Sequence, residues 1–340
     1  MNILKDADID PSPLAGKRVA VLGFGNQGRA QALNLNDSGI DLVVGLRPGS
    51  PTEPAARGAG LEVAPLGEAV VNADLVMMLA PDEVLAGLYR EIEPQLRGGA
   101  ALGFSHGLTV HFGLIEPRPD LDVILVAPKG PGTALRSLYT EGKGMVALWA
   151  VAQDATGHAK ALALAYGRAI GCARAGLMAS SFAEECEADL STEGAVVWGA
   201  VPEILVAGFD TLVQAGVAPE IAYMECVGEL KLIAELIEAR GIAGMREAIS
   251  NTAELGAVIG GPRIVDEGIR ARMKEILTEV RAGQFSDLLR DEEASGYPRL
   301  KAARDEARQL RVEQARKKLE SKRNTCAGSP GRSPTDARSM

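Results

Sequence analysis

A chain of 340 residues is long enough to bury a substantial core and is expected to make two domains. Its net charge of −9 at pH 7 opposes long-range attraction to nucleic acid or to an anionic membrane, so neither is expected as a partner, and a small molecule is. Cys172, Cys186, Cys226 and Cys326 show no Cys-x-x-Cys spacing, no basic segment with an apolar core opens the chain, and no uninterrupted apolar run reaches spanning length; a cytoplasmic protein is expected.

Residues 1–15 are polar and contain proline, and read as a lead-in rather than an element. From Lys17 short β-branched runs alternate with longer helical ones: Arg18–Leu22, Asp41–Leu46, Leu61–Ala64, Asp74–Leu79, Ala100–Phe104, Val123–Ala127, Met145–Val151 and a closing run, Cys172–Met178. Continuous apolar strands separated by helices predict an α/β, Rossmann-like, doubly wound parallel sheet over residues 1–180. After about Ser180 helical periods rich in Ala, Glu, Leu and Ile take over, broken at Pro202, 216–219, 241–244 and 260–262, which predicts an all-helical domain over 181–321. Residues 322–340 turn to Ser, Gly, Pro, Arg and Thr without apolar period and read as a disordered tail.

Gly23-Phe24-Gly25-Asn26-Gln27-Gly28 directly follows the first of these strands and opens a helix running through Asn36. Strand before and helix after is the context in which such glycines let backbone approach a pyrophosphate at a helix N-terminus. A tight structural turn fits the same residues. The second strand ends at Leu46 and is followed by Arg47, Ser50 and Thr52, with no acid beside them before Glu53, a set suited to a ribose 2′-phosphate. NADPH is therefore expected, an ordinary polar loop being the alternative. Pro81-Asp82-Glu83-Val84, Ser105-His106-Gly107 and Lys129-Gly130-Pro131-Gly132 all fall at the carboxyl edge of the sheet, where such folds bind cofactors. His106 is either a structural hydrogen-bonder or part of the chemistry, and Lys129 either a surface lysine or one that reaches the acids of the helical domain.

Those acids form two pairs, Asp189 with Glu193 and Glu225 with Glu229, each four residues apart and so on one helical face. The second pair lies in an apolar stripe with Ile221, Ile233 and Ile237, on a helix expected to start at Pro219 and stop at Gly241; the first shares its face with Phe182, Cys186, Val196, Val197 and Ala200. Carboxylates headed inward need a proton, a partner or a cation, and an all-oxygen set favours a hard ion such as Mg2+, with room for two ions. Solvated helix faces in an acidic protein are the alternative.

Taken together, residues 21–28, 111–113, 127–132, 153–157, 229–233 and 249–254, in this order, resemble the ketol-acid reductoisomerase family, from Gly16 to about Leu319. The resemblance implies NADPH on a doubly wound domain, two Mg2+ ions on a knotted helical domain, and conversion of 2-acetolactate or 2-aceto-2-hydroxybutyrate, 2-hydroxy-3-keto acids, by alkyl migration and hydride reduction in valine and isoleucine biosynthesis. It implies Asp189, Glu193, Glu225 and Glu229 as metal ligands, Ser250 as a substrate contact, and His106, with Lys129 and Glu193, as the catalytic set. The cofactor contacts it implies are Gly23, Phe24, Gly25, Asn26, Gln27, Arg47, Ser50, Thr52, Asp82, Glu83, Val84, Leu85 and Gly132. The length resembles the family's short form, whose active sites are completed in a homodimer or an oligomer built from dimers.

Around these residues the chain departs from the family pattern. Leu190-Ser191-Thr192 replaces Leu-Phe-Gly, Gly194 a common Gln, Gly228 a common His, Leu108-Thr109 a Phe-Asn pair, Glu247-Ala248 a Tyr-Ser pair, and Leu255-Gly256-Ala257 a Tyr-Gly-Asp run. Two further readings therefore stand beside the reductoisomerase: a diverged paralogue that reduces another 2-keto acid without alkyl migration, and a catalytically silent dinucleotide-binding protein. The second would need none of the four carboxylates.

Overall fold

The computed structural model describes residues 2–327, with side chains through Lys322; most of the segment expected to be a tail lies outside the described residues. The chain divides into two compact units, one of residues 1–190 and 283–290, the other of residues 191–282 and 291–340.

The first unit is built on nine strands: β1 (Ile3–Leu4), β2 (Arg18–Leu22), β3 (Asp41–Leu46), β4 (Glu62–Pro65), β5 (Leu75–Met78), β6 (Ala101–Phe104), β7 (Asp122–Pro128), β8 (Ala147–Gln153) and β9 (Leu177–Ala179). They lie in the order β1-β9-β8-β7-β6-β5-β2-β3-β4. From β4 to β7 every pairing is parallel, with β2 flanked by β3 and β5, so strand order reverses at β2, where doubly wound folds bind dinucleotides. Two departures from an all-parallel sheet occur: β8 runs antiparallel to β7, and β1 antiparallel to β9. Helices cover both faces and produce two separate apolar layers, one around Val19, Val21, Leu75 and Tyr166, the other around Leu22, Val76, Leu102 and Phe104. Because both faces are buried, the strands carry continuous apolar runs rather than alternation.

Residues 1–15, expected to lack structure, contribute β1 and two single 3-10 turns. The parting of the units also lies about ten residues later than the expected 180/181 boundary. The reason is local: Phe182 and Cys186 are buried, and the Phe182 ring meets Phe104 edge-on with centroids 6.1 Å apart. The first two turns of helix Phe182–Thr192 are thus held by the core of the sheet unit.

The second unit is helical, including Ala200–Gln214, Pro219–Tyr223, Leu230–Glu247, Asn251–Ile264, Glu267–Arg281, Pro298–Gln309 and Arg311–Ala327. The last of these extends past the expected start of the tail at 322. Gly241 does interrupt its helix, with φ of 68°, but helical geometry resumes and runs to Glu247. Single π turns occupy Glu193–Val197 and Met224–Gly228. The buried core of this unit is small, Phe209, Ala222, Val312 and Ala315, whereas Trp198, Leu232, Ile242, Leu255 and Ile264 are each at least 60% exposed. No apolar run is uninterrupted over spanning length, as expected, but the helical run Phe182–Gln214, which contains Glu203 and Asp210, is long and apolar enough by length and composition to cross a membrane. Near its start Glu185 and Asp189 are engaged with His106 and Lys129.

Candidate active site

At the switch point the loop after β2 enters helix Asn26–Asp37 with Gly25 in the N-cap position. No protein atom lies within 4 Å of where a Cβ on Gly25 would stand, which leaves its backbone open to a ligand. A cavity of about 480 Å³ begins there, lined by Gly23, Phe24 and Gly25 on one side, Arg47, Ser50 and Thr52 on another, and Pro81 and Val84 on a third. The Ser50 and Thr52 hydroxyls lie 3.0 Å apart, and Glu53, the nearest acid in sequence, is bound by Arg57 at 2.9 Å. Asp82 and Glu83 begin the helix Asp82–Ile92 and are half-buried, while Leu85 is buried beneath it.

The loop after β7 is welded to this one. A Cβ on Gly132 would fall 2.1 Å from the Asn26 carbonyl oxygen, a clash with backbone that nothing can relieve, so only glycine fits. The Asn26 side chain accepts from the Thr133 N–H, and the Gln27 amide donates to the Gly130 carbonyl at 2.9 Å. Beneath them runs a buried chain of fixed polarity: the Tyr166 hydroxyl donates to Gln31, and Gln31 donates to both Gln27 and the Ser105 hydroxyl. Burial pushes Tyr166 well above the usual phenol range, so it stays a donor.

Next to Ser105 and Gly130 stand His106 and Lys129, and both meet acids of helix Phe182–Thr192. His106 Nδ1 lies 3.0 Å from Glu185, whose same oxygen accepts the Gly107 N–H at 2.8 Å. Lys129 donates to the other Glu185 oxygen at 2.9 Å and to Asp189 at 2.6 Å. Burial alone would lower His106, but the Glu185 hydrogen bond and the charges of Glu185, Asp82 and Asp189 outweigh it and raise it to about 9, leaving an imidazolium at neutral pH. Burial likewise would raise Glu185, and is outweighed by His106 and Lys129, which hold it below the usual carboxylate range. Asp82 shows the opposite balance: desolvation, only partly opposed by His106, raises it to about 6.

Of the four acids expected to converge, Asp189 belongs to the first unit and Glu193, Glu225 and Glu229 to the second. Asp189 is half-buried; the other three are exposed, so within one chain they do not turn inward as their apolar neighbours suggested. Those neighbours, Val196, Val197 and Ile221 among them, are exposed with them. The three second-unit acids fall at or beside π turns: Glu193 opens one, Glu225 lies in the other, and Glu229 follows it. Ser250 caps helix Asn251–Ile264, its hydroxyl accepting the Ala253 N–H at 3.2 Å.

Among the described residues, ligand atoms that converge as for a metal ion come from His106, Glu185 and Asp189, all within 4.8 Å of one another. Both carboxylates also lie against the Lys129 ammonium, at 2.9 and 2.6 Å, so a divalent cation there would share them with it.

Two family models match this chain: an acetohydroxy acid isomeroreductase, NADPH-binding domain over residues 13–176, and a ketol-acid reductoisomerase, C-terminal domain over residues 182–325. The chain belongs to the ketol-acid reductoisomerase family. An NADH-preferring ketol-acid reductoisomerase from an uncultured archean is 42% identical, with 94% of this chain and 99% of that one covered and a TM-score of 0.91. At 20% identity, a semialdehyde dehydrogenase NAD-binding protein from Cupriavidus necator, in complex with calcium and NAD, covers 78% of this chain and 99% of its own with a TM-score of 0.62. Plasmodium falciparum pyrroline carboxylate reductase with NADP bound gives 13%, 79%, 98% and 0.52 for the same measures. These last two likenesses show the fold alone.

Membership in the ketol-acid reductoisomerase family carries a nicotinamide cofactor and an oxidoreductase reaction with it. The residue that sequence reading missed is Glu185, the acid through which His106 and Lys129 are joined. Its signal was present: Glu185, Asp189 and Glu193 make one ladder at four-residue spacing, of which only the upper two were read.

Proposed function

We propose that the chain is a Mg2+-dependent, NADPH-using ketol-acid reductoisomerase that converts 2-acetolactate or 2-aceto-2-hydroxybutyrate to the 2,3-dihydroxy acid, in cytoplasmic valine and isoleucine biosynthesis. The observation that carries this reading is the His106–Glu185–Lys129–Asp189 cluster beside the glycine loop, because it assembles proton donors and acidic ligands where a cofactor-bound substrate would lie. Bound Mg2+ would polarise adjacent substrate oxygens and acidify the hydroxyl, and NADPH would supply the hydride. Asp189, Glu193, Glu225 and Glu229 are the residues that would hold two ions. His106, with Nδ1–H committed to Glu185, has Nε2–H to donate to a substrate oxygen. Lys129 lies against both Asp189 and Glu185 and helps keep Glu185 ionised. Ser250, whose oxygen already accepts from its own helix, has its hydroxyl proton for a substrate carboxylate.

The preference for NADPH rests on Arg47, Ser50 and Thr52 lining one wall of the cofactor cavity, with no acid among its lining residues. The homodimer rests on the second unit's exposed apolar residues, which a second copy would cover. Glu225 and Glu229 lie in the same exposed stripe as Ile221, Ile233 and Ile237. Buried free thiols at Cys172 and Cys186 suit a reducing compartment.

A second reading, reduction of another 2-keto acid without migration, is favoured by Gly194: it stands where the family commonly has Gln, and no protein atom fills the space a side chain would take. One assay separates the two. Oxidation of NADPH is followed with 2-acetolactate and with its isomerised intermediate, 3-hydroxy-3-methyl-2-oxobutanoate, each with and without Mg2+. The reductoisomerase turns over both and needs Mg2+ for the first. Turnover of the intermediate alone, at every Mg2+ concentration, would overturn the assignment and leave the second reading.

A further inference from the structure

We propose that Gln31 is a positioning residue: one amide nitrogen holds Gln27 and Ser105 together, and so keeps the glycine-rich loop in register with the strand ends that carry His106 and Lys129. This rests on the reading of His106 and Lys129 as groups of the reaction.

The two ends of the network decide its direction. The backbone carbonyl oxygens of Gly130 and Val126 can only accept. The Gln27 amide therefore turns its nitrogen to Gly130, at 2.9 Å, and the Ser105 hydroxyl gives its proton to Val126, at 3.0 Å. What each has left for Gln31 is an oxygen, and Gln31 Nε2 donates to both, at 3.1 Å to Gln27 and 2.9 Å to Ser105. The Gln31 oxygen in turn accepts from the Tyr166 hydroxyl at 2.7 Å. Two protons on one atom, with an acceptor beside it, are what a carboxamide offers; a carboxyl group has at most one proton and an imidazole one on each nitrogen. Gln31 is fully buried, so a partner lost here leaves an unsatisfied polar group in low dielectric. Ser105 precedes His106, Gly130 follows Lys129, and Gln27 belongs to the glycine-rich loop, so a single amide ties three loops of the sheet's carboxyl edge.

The test follows reduction of 3-hydroxy-3-methyl-2-oxobutanoate by NADPH and by NADPH deuterated at the transferred hydrogen. Gln31→Met keeps the length of the side chain and removes all three hydrogen bonds. It should lower kcat about 10²-fold, the loss that a misplacement near 1 Å produces. It should also raise the deuterium isotope effect on kcat, because a misplaced hydride donor makes the transfer the slow step. A smaller amount of folded enzyme lowers turnover without moving an isotope ratio, so the ratio separates register from stability. Ser105→Ala, which cuts only the branch toward His106, should raise the ratio in the same direction and carries the test if Gln31→Met does not fold. Tyr166→Phe takes a partner from Gln31 but leaves the direction set by the two carbonyls; its melting temperature should fall while the isotope effect keeps the unmodified value. A rise in Tyr166→Phe equal to that in Gln31→Met would overturn the fixed direction of the network. If the unmodified protein reduces the intermediate and the Gln31 and Ser105 variants keep its kcat and isotope effect, the role of Gln31 alone is overturned. If the unmodified protein oxidises NADPH with neither 2-acetolactate nor the intermediate, the reading of the reaction fails and this inference with it.

Discussion

The two units solve the same problem, keeping charged groups available for chemistry, in opposite ways. The sheet unit buries one acid and pairs it completely: Glu185 is 1% exposed by side chain and satisfied from His106, Gly107 and Lys129. That cluster is formed within one chain. The helical unit leaves Glu193, Glu225 and Glu229 in solvent among uncovered isoleucines and valines, with a core of a few side chains. A buried, fully paired cluster is intolerant of losing any one member, because the remaining charges are stranded in low dielectric. An exposed, unfinished one tolerates substitution in the monomer and depends on what covers it.

The largest effect should therefore follow removal of the shared acid of the sheet unit. Glu185→Gln takes the partner from both His106 and Lys129, and 2-acetolactate turnover should fall by about 10²–10⁴-fold, the range for loss of positioned acid–base groups. In the same variant the His106 titration, followed by NMR, should move down from about 9 toward the ordinary imidazole value. An unmoved titration would break the claim that Glu185 holds the imidazolium.

Complementation tests whether the helical unit is finished by a second copy. Asp189→Asn and Glu229→Gln should each be inactive alone, and mixed dimers should regain up to about a quarter to a half of the activity, as expected if a C2 pair shares each site. No recovery, with subunit exchange demonstrated, would place the four acids in one chain.

Arg47→Asp sharpens the contrast within the sheet unit, because the 47–52 loop takes no part in the buried cluster. The Michaelis constant for NADPH should rise about tenfold or more, as for loss of a charge-assisted contact worth roughly 1.5–3 kcal/mol, and that for NADH should change far less. Equal use of both cofactors by the unmodified protein would remove the basis for the preference.

The smallest effect is on stability. His106 is raised on folding, so its contribution is fully present below the unfolded value near 6.5 and is lost as pH climbs through about 9. Asp82 is raised too, so its contribution is present below about 3.8 and is lost as pH passes about 6. Unfolding free energies from urea titrations should thus decline as pH rises across these two windows, by of order 1–3 kcal/mol in all, and His106→Gln should flatten the upper part of the decline. A midpoint constant from pH 6.5 to 9 in the unmodified protein would contradict the raised His106.

Much of the sheet unit was legible because its strands are short apolar runs between turn residues; β2 and β3 begin and end where the sequence puts them. The two-residue β1 was not, since Ile3 and Leu4 make no period, nor was the reversed direction of β8, because a strand's apolar run has no polarity. The positions of His106 and Lys129 followed from strand ends, but their joint partner did not, since the apolar face seen around Cys186 drew attention away from Glu185. In the helical unit the acids were found and their surroundings were not. A stripe of isoleucines reads as buried whether its cover is the same chain or another. Nothing in the composition of 193–197 or 224–228 marks a π turn, which is a matter of one extra residue accommodated in the backbone.

The backbone contact between Gly132 and Asn26 has a consequence for how this molecule can change. With Asn26 and Gly132 pressed together, and Gln27 tied to Gly130, the glycine-rich loop and the lysine loop form one piece in which a single added methyl group is a lesion. The segment 47–52 hangs from the end of β3 outside that piece. On the proposed reading of the 47–52 loop as the seat of cofactor preference, that preference can shift by point substitution while His106 and Lys129 stay in register. A family whose members share a fold at 42% identity has room, on this plan, to exchange one reduced nicotinamide for the other without rebuilding the chemistry.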